Sequence, residues 1–196
     1  MNILIESHYF PSIAYIKLLQ SAGAIYIEFN EHYRKGTYRN RCYIAGANGS
    51  LRLSVPLEKS KRSNILIKDK KIAYDMDWQK LHWQSLCSAY RRSPYFEYFE
   101  DDLAKLFLKK ETFLLDLNEK LLYWILKTLT IDKAIHYTTA FEKEVNDMQD
   151  ARGILMPNKM PEIELPEYHQ VFADRNGFLP NLTILDWLFN EGPNSI

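Results

Sequence analysis

At 196 residues the chain has room for one domain with a substantial core, and its 46% hydrophobic content is that of a folded globular protein. Its 25 basic residues balance 25 acidic ones, which excludes a broad cationic surface for nucleic acid or acidic membranes while leaving room for a local basic pocket. The two cysteines, Cys42 and Cys87, belong to no CxxC pair. That excludes a disulfide framework or zinc cluster and fits buried, reduced thiols in a cytoplasmic protein.

Asn2 to Glu6 reads as a short buried strand and Ser7 to Phe10 as a loop. Pro11 suits the first position of a helix running to about Ser21, with Gly23 as its cap. Ala24 to Phe29 is a second strand, rich in β-branched and aromatic residues. Strand, helix and strand in so short a span form a βαβ unit, whose strands lie parallel. Open α/β sheets bind ligands beyond the carboxyl ends of their strands. Glu6-Ser7-His8 and Glu31-His32-Tyr33-Arg34-Lys35 leave those ends and should meet at one edge, with His8 beside a helix N-terminus that favours anions. Taken singly, either histidine also fits a surface loop.

Asn48-Gly49 signals a two-residue hairpin turn that pairs Cys42 with Val55, Ile44 with Leu53 and Gly46 with Leu51. Arg41, Tyr43, Arg52 and Ser54 occupy its other face. Arg39, Asn40 and Arg41 enter at the end far from the turn, where a guanidinium fork either grips phosphate or carboxylate or is simply solvated. Lys59, Lys61 and Arg62 fall in a solvated, Ser-containing loop. Ile65 to Ile67 and Ile72 to Tyr74 read as short strand segments.

Trp78 to Phe99, WQKLHWQSLCSAYRRSPYFEYF, is the densest aromatic and basic run, and Pro94 splits it. Asp75 or Asp77 caps its first part. On a helical wheel Lys80, Gln84 and Arg91 face water, while Trp78, Leu81, Leu86 and Ala89 span the apolar arc that also holds His82 and Arg92. A buried arginine either binds an anion or answers a carboxylate and the last helical carbonyls. Tyr95 to Lys110 forms a further helix on Phe96, Phe99, Leu103 and Leu106. Asp116 to Thr130 forms another, opened by an Asp116/Glu119 capping box. Ala134 to Thr139 returns as a strand, and Phe141 to Arg152 is helix or loop. Three prolines make Met156 to Glu167 an extended crossing segment. Asn181 caps a closing helix that ends near Asn190, and Gly192-Pro193 stops it.

The expected architecture is α/β: a mixed, partly parallel sheet opened by a βαβ unit, with a hairpin and packed helices. One domain spans 1–196, helical over about 76–130, with a C-terminal docking segment over about 156–196. No apolar run is long enough to span a bilayer, and MNILIESHYFP lacks the marks of a secretion signal. There is no GxSxG, P-loop, HExxH or GxGxxG, no metal-ligand spacing among the five histidines, and nothing that identifies a cofactor.

Three pieces together resemble the WbqC-like protein family. They are Tyr9-Phe10-Pro11 with Tyr15, then Asn40-Arg41 with the hairpin and Val55-Pro56, then Tyr168, Gln170 and FLPNLTILDWLFNEGP. YRRSPYFEYF resembles a branch of that family met in bacteria of the Bacteroides type. The chain departs from the wider pattern at Glu6-Ser7, in place of Gln-Pro, and at Ala14, in place of a frequent glycine. The resemblance implies a place in bacterial O-antigen and other surface-polysaccharide synthesis. It implies a transferase, adding an amino-acid or acyl group to a sugar from an activated sugar or acyl donor. Its rival is a non-catalytic module that binds a sugar nucleotide or a biosynthetic partner. The candidate catalytic residues are His8 or His82 as general base and Asp186 to orient a hydroxyl or histidine. Arg41, Arg91 or Arg92 would hold phosphate or carboxylate. The motif positions Tyr9, Asn40, Tyr168, Gln170 and Asn181 complete the substrate-binding candidates.

Overall fold

The computed structural model describes residues 1–59 and 64–193. Lys61 and Arg62 of the expected solvated loop lie outside the described residues. The opening βαβ unit consists of β1 (Ile3–Glu6), α1 (Ile13–Ser21) and β2 (Ile25–Glu28). With β5 (Ile135–Tyr137) and β6 (Gln149–Asp150) it builds a four-stranded sheet in the order β5-β2-β1-β6. All three pairings are parallel. Every residue of β1 is buried, as a central parallel strand covered on both faces should be. The sheet is thus wholly parallel. The antiparallel pair, β3 (Arg41–Gly46) and β4 (Gly49–Ser54), is a separate hairpin.

The helices are α2 (Trp78–Tyr90), α3 (Phe96–Leu108), α4 (Leu114–Thr128), α5 (Ala173–Asn176) and α6 (Ile184–Glu191). α6 packs against α1, α3 and β3, so the end of the chain closes onto its beginning. One apolar cluster links the sheet, the hairpin and these helices. Among the described residues no helix is long and apolar enough to cross a membrane.

Several local expectations are corrected. The hairpin pairs Cys42 with Leu53 and Ile44 with Leu51. The ladder closes on Gly46 opposite Gly49, so the two loop residues are Ala47 and Asn48, and within the turn the positive φ falls on Gly49, at 106°. A shift of two residues leaves every side chain on its expected face. α1 begins at Ile13 rather than Pro11, and Ala22 ends it in an extended conformation. Asp77 precedes α2 without making a side-chain cap. Phe113 precedes α4, which puts Asp116 inside the first turn instead of at its cap. Leu66 and Ile72 make only isolated bridges, and the 141–152 stretch holds β6 and no helix. On α2, Leu81 is exposed while Gln79 is buried. Gln79 Nε2 donates to the Phe107 and Lys109 carbonyls at 2.7 and 3.0 Å, closing the end of α3.

Asn181 does not cap α6. Thr183 does, its Oγ1 accepting from Leu185 N. Asn181 Oδ1 instead accepts from Ala14 N at 3.0 Å, in the first turn of α1, which has no side-chain cap of its own. Thr183 Oγ1 also donates to the Phe10 carbonyl at 3.0 Å. Phe10 is buried at φ 39°, a conformation unfavourable to a bulky side chain. The C-terminal segment therefore clamps the strained loop that leaves β1.

Candidate functional site

The parallel register sets Glu6 beside Glu28 at the carboxyl edge of the sheet. Both are buried. Two unpaired carboxylates side by side would repel in a medium that screens poorly, and two arginines answer them. Arg39 projects from a 3₁₀ turn, Tyr38–Asn40, that precedes the hairpin. Its Nε and Nη2 donate to the two Glu31 oxygens at 2.7 and 2.6 Å, a bidentate fork, and its Nη1 lies 3.6 Å from Glu6. Arg152 donates to Glu28 at 2.8 Å and to Asp150 at 2.7 and 2.9 Å. The two polar loops expected at this edge do meet there, through Arg39.

His8 Nε2 lies 3.3 Å from Glu6 Oε1, and Gly153 N donates to Glu6 Oε2 at 2.9 Å. Burial pushes the Glu6 carboxyl up, but His8, Arg39 and the Gly153 N–H together outweigh it and hold it at about 2. Burial lowers the His8 pKa, with Glu6 pulling the other way less strongly, so the imidazole is neutral at neutral pH. With Nε2 facing a carboxylate, the proton belongs on Nε2. That leaves Nδ1 as a bare acceptor, buried and without a partner. Tyr15 and Tyr38 bracket the ring at 4.5 and 5.2 Å.

His8 lines a hollow of about 720 Å³ between α4 and the ends of β2 and β5, within the range of small-molecule clefts. The inner end carries Ser7, His8 and Asn118, all buried. Asn118 Nδ2 donates to Ser7 Oγ at 2.9 Å and to the Arg39 carbonyl at 2.8 Å, while its Oδ1 has no partner. Leaving such an acceptor unsatisfied costs about 1–3 kcal/mol. The outer end is aromatic, with Phe29, Tyr123, Trp124 and Tyr137 among its lining residues. There the Tyr137 hydroxyl donates to Glu119, joining β5 to α4. A neutral base braced by a carboxylate lies behind the inner wall of a cleft with stacking surfaces, its ring fully buried.

The sequence profile of the WbqC-like protein family matches residues 6–160. The chain belongs to the WbqC-like protein family. It is also 26% identical over 220 aligned positions to "Uncharacterized protein Rv1507c" of Mycobacterium tuberculosis, with 96% of this chain and 93% of that protein covered. No solved structure matches.

The WbqC-like chain separates the candidate residues read from sequence. His8 lies at the hollow. Tyr9 and His82 pair with each other, Tyr9 Oη to His82 Nδ1 at 2.8 Å, inside the core beside Trp78. Asp186 is fully buried and accepts from Tyr90 and Tyr168 at 2.7 and 2.5 Å, with Gln170 Nε2 at 3.2 Å. That network joins α6 to α2 and the 168–170 segment. Asn40 Nδ2 donates to the Val55 carbonyl, bracing the hairpin, and Asn181 caps α1. Arg91 and Arg92 are exposed beyond the end of α2. They line a second groove of about 900 Å³ with His169, and Arg91 pairs with Glu100. Arg41 lines neither hollow. His8, Arg41 and Arg92 therefore share no cleft.

The buried arginine is Arg39 rather than Arg92, because α2 ends at Tyr90 and the wheel has no meaning past it. Arg39 stood in view in the run Arg39-Asn40-Arg41. Its signal was position, one turn before a strand and facing the sheet's edge. Asn118 gave no signal, since one asparagine among the leucines of α4 reads as a surface position.

Proposed function

We propose that this WbqC-like chain is a cytoplasmic transferase of bacterial surface-polysaccharide synthesis, O-antigen included. It moves an acyl or aminoacyl group from an activated donor to a sugar. The observation that carries this reading is the hollow at the carboxyl edge of the parallel sheet, with a neutral, carboxylate-braced His8 at its inner end. Ligand sites of α/β sheets lie at that edge. Binding parts the inner wall and uncovers the His8 ring. Nδ1 takes a proton from the attacking group of the sugar, the acyl carbon's bond to the donor's carrier breaks as its bond to the sugar forms, and Glu6 stabilises the imidazolium. His82, Asp186, Tyr168 and Gln170 hold the core around this site and touch no substrate.

The test joins binding to turnover. The wild-type chain is screened for thermal stabilisation by nucleotide sugars, acyl donors and aminoacyl donors, since a ligand of the native state raises the melting temperature. His8→Gln keeps a donor towards Glu6 and loses the titratable base. The expected result is retained binding with turnover lowered by about 100-fold or more. Unchanged turnover would remove His8 from the mechanism. Binding without turnover in the wild type would leave the non-catalytic module.

A further inference from the structure

We propose that the groove at the end of α2 is a second binding site, for a phosphoryl group carried on an apolar body. Its walls are the last turns of α2 with the turn that follows, and the 169–172 segment; it shares no lining residue with the hollow at the sheet. Arg91, Arg92 and His169 all line it, and all three are exposed. Among the described residues that line it, none carries a carboxylate. The fold does not need these cations. Arginines just past a helix often answer its last carbonyls. Here Ser93 takes the Tyr90 carbonyl with both its N–H and its hydroxyl, at 2.8 and 2.6 Å. Arg92 makes no ion pair or side-chain hydrogen bond with any described residue. Arg91 pairs with Glu100 at 3.1 Å, but a pair so open to water contributes little and yields readily. Guanidinium forks suit phosphate oxygens. The negative end of α2 opposes an anion with about half a charge, which two full positive charges outweigh.

The rest of the groove is apolar. Trp83 and Phe172 are half-buried in its lining, and Pro94 is exposed there. Phe96 and Phe107 back the Trp83 ring at 6.2 and 5.8 Å, so it stands as a fixed surface rather than a loose side chain. At about 900 Å³ the groove lies near the top of the range for small-molecule clefts, about 300–1,000 Å³. A free phosphate would answer the cations and leave this floor in water. A phosphate ester with a ring or a chain covers both. Unused charge and a fixed apolar floor are independent observations, and together they call for an organic phosphate.

The test titrates the full-length wild-type chain by calorimetry at neutral pH. The probes are inorganic phosphate, uridine, uridine monophosphate and decyl phosphate. The two esters stand for two sources of one chemistry, a nucleotide and a lipid-like phosphate. At least one should bind roughly tenfold tighter than inorganic phosphate and than uridine, and the tighter of the two names the source. Arg92→Gln, at an exposed residue with no partner to lose, should keep the wild-type melting temperature and lower that affinity about tenfold. Lys127→Gln, in the lining of the hollow alone, should leave it unchanged. If neither ester binds more tightly than inorganic phosphate, the proposal falls. Full affinity in Arg92→Gln overturns it as well. A loss confined to Lys127→Gln moves the ligand out of the groove and into the hollow. Turnover in His8→Gln tests the hollow separately, so the two readings fail independently.

Discussion

Two histidines of this chain look alike in sequence and differ in what surrounds them. His8 sits on a carboxylate at a cleft. His82 is held by Tyr9 inside the core, and burial lowers its pKa to about 4, with a backbone hydrogen bond to Ser54 opposing. The consequence for stability has a definite sign. An unfolded histidine takes up a proton near its ordinary value of about 6.5, and the folded chain resists protonating His82 until about pH 4. Between those values the unfolded state holds more protons, so stability falls as pH falls. The share due to His82 should be about 2 kcal/mol from pH 7 to pH 5. Urea denaturation across that range checks it: His82→Leu should start less stable, because Tyr9 loses its partner, but should show a shallower acid slope. Equal slopes would mean that His82 is protonated in the folded chain. Glu6 adds to acid loss only lower down, as pH falls from about 4.5 towards about 2, which keeps the two contributions apart.

At the level of elements, periodicity and composition identified the βαβ unit, the hairpin and the three long helices, because each needs only a local pattern. What local pattern did not carry was how the elements are joined. Asn181 is the clearest case. It stands before a helix and reads as that helix's cap, yet its side chain crosses the molecule to the first turn of α1. Its backbone is at φ 53°, which asparagine tolerates better than most residues. The two roles can be separated by substitution. Asn181→Gly should lose the cap alone, about 1 kcal/mol, whereas Asn181→Ala should lose the cap and add about 1 kcal/mol or more of backbone strain. The expected order in urea midpoints is wild type, then Asn181→Gly, then Asn181→Ala. An equal loss in both variants would mean that backbone strain contributes nothing at this position. No loss in either would mean that Asn181 does not stabilise α1.

Across the whole molecule, the edge of the sheet was legible as the place to look, with Glu6 and Glu31 on the loops expected to meet there, while the charges that join them, Glu28, Arg39 and Arg152, were not. Glu6, Glu28, Glu31, Arg39 and Arg152 come from four separate stretches, and only the parallel register and the 3₁₀ turn bring them together. The same long-range dependence governs the far end of the chain. The family match ends at residue 160, yet α6 and its approach bury Leu182, Ile184, Leu185, Trp187, Leu188 and Phe189. At roughly 1.5–3 kcal/mol per large apolar side chain, that contribution is about 9–18 kcal/mol before any correction for a compact unfolded state. It matches the whole net stability of an ordinary domain, about 5–15 kcal/mol. The segment also supplies the cap of α1 and the clamp on Phe10, two residues past His8. A chain ending at Gly177 should therefore fail to fold cooperatively, even though it keeps the entire matched region. Near-ultraviolet circular dichroism should lose its aromatic signature and thermal unfolding its sharp transition. A truncated chain melting as sharply as the wild type, at the same temperature, would show that residues 6–160 carry a core of their own and that α6 is an addition to it.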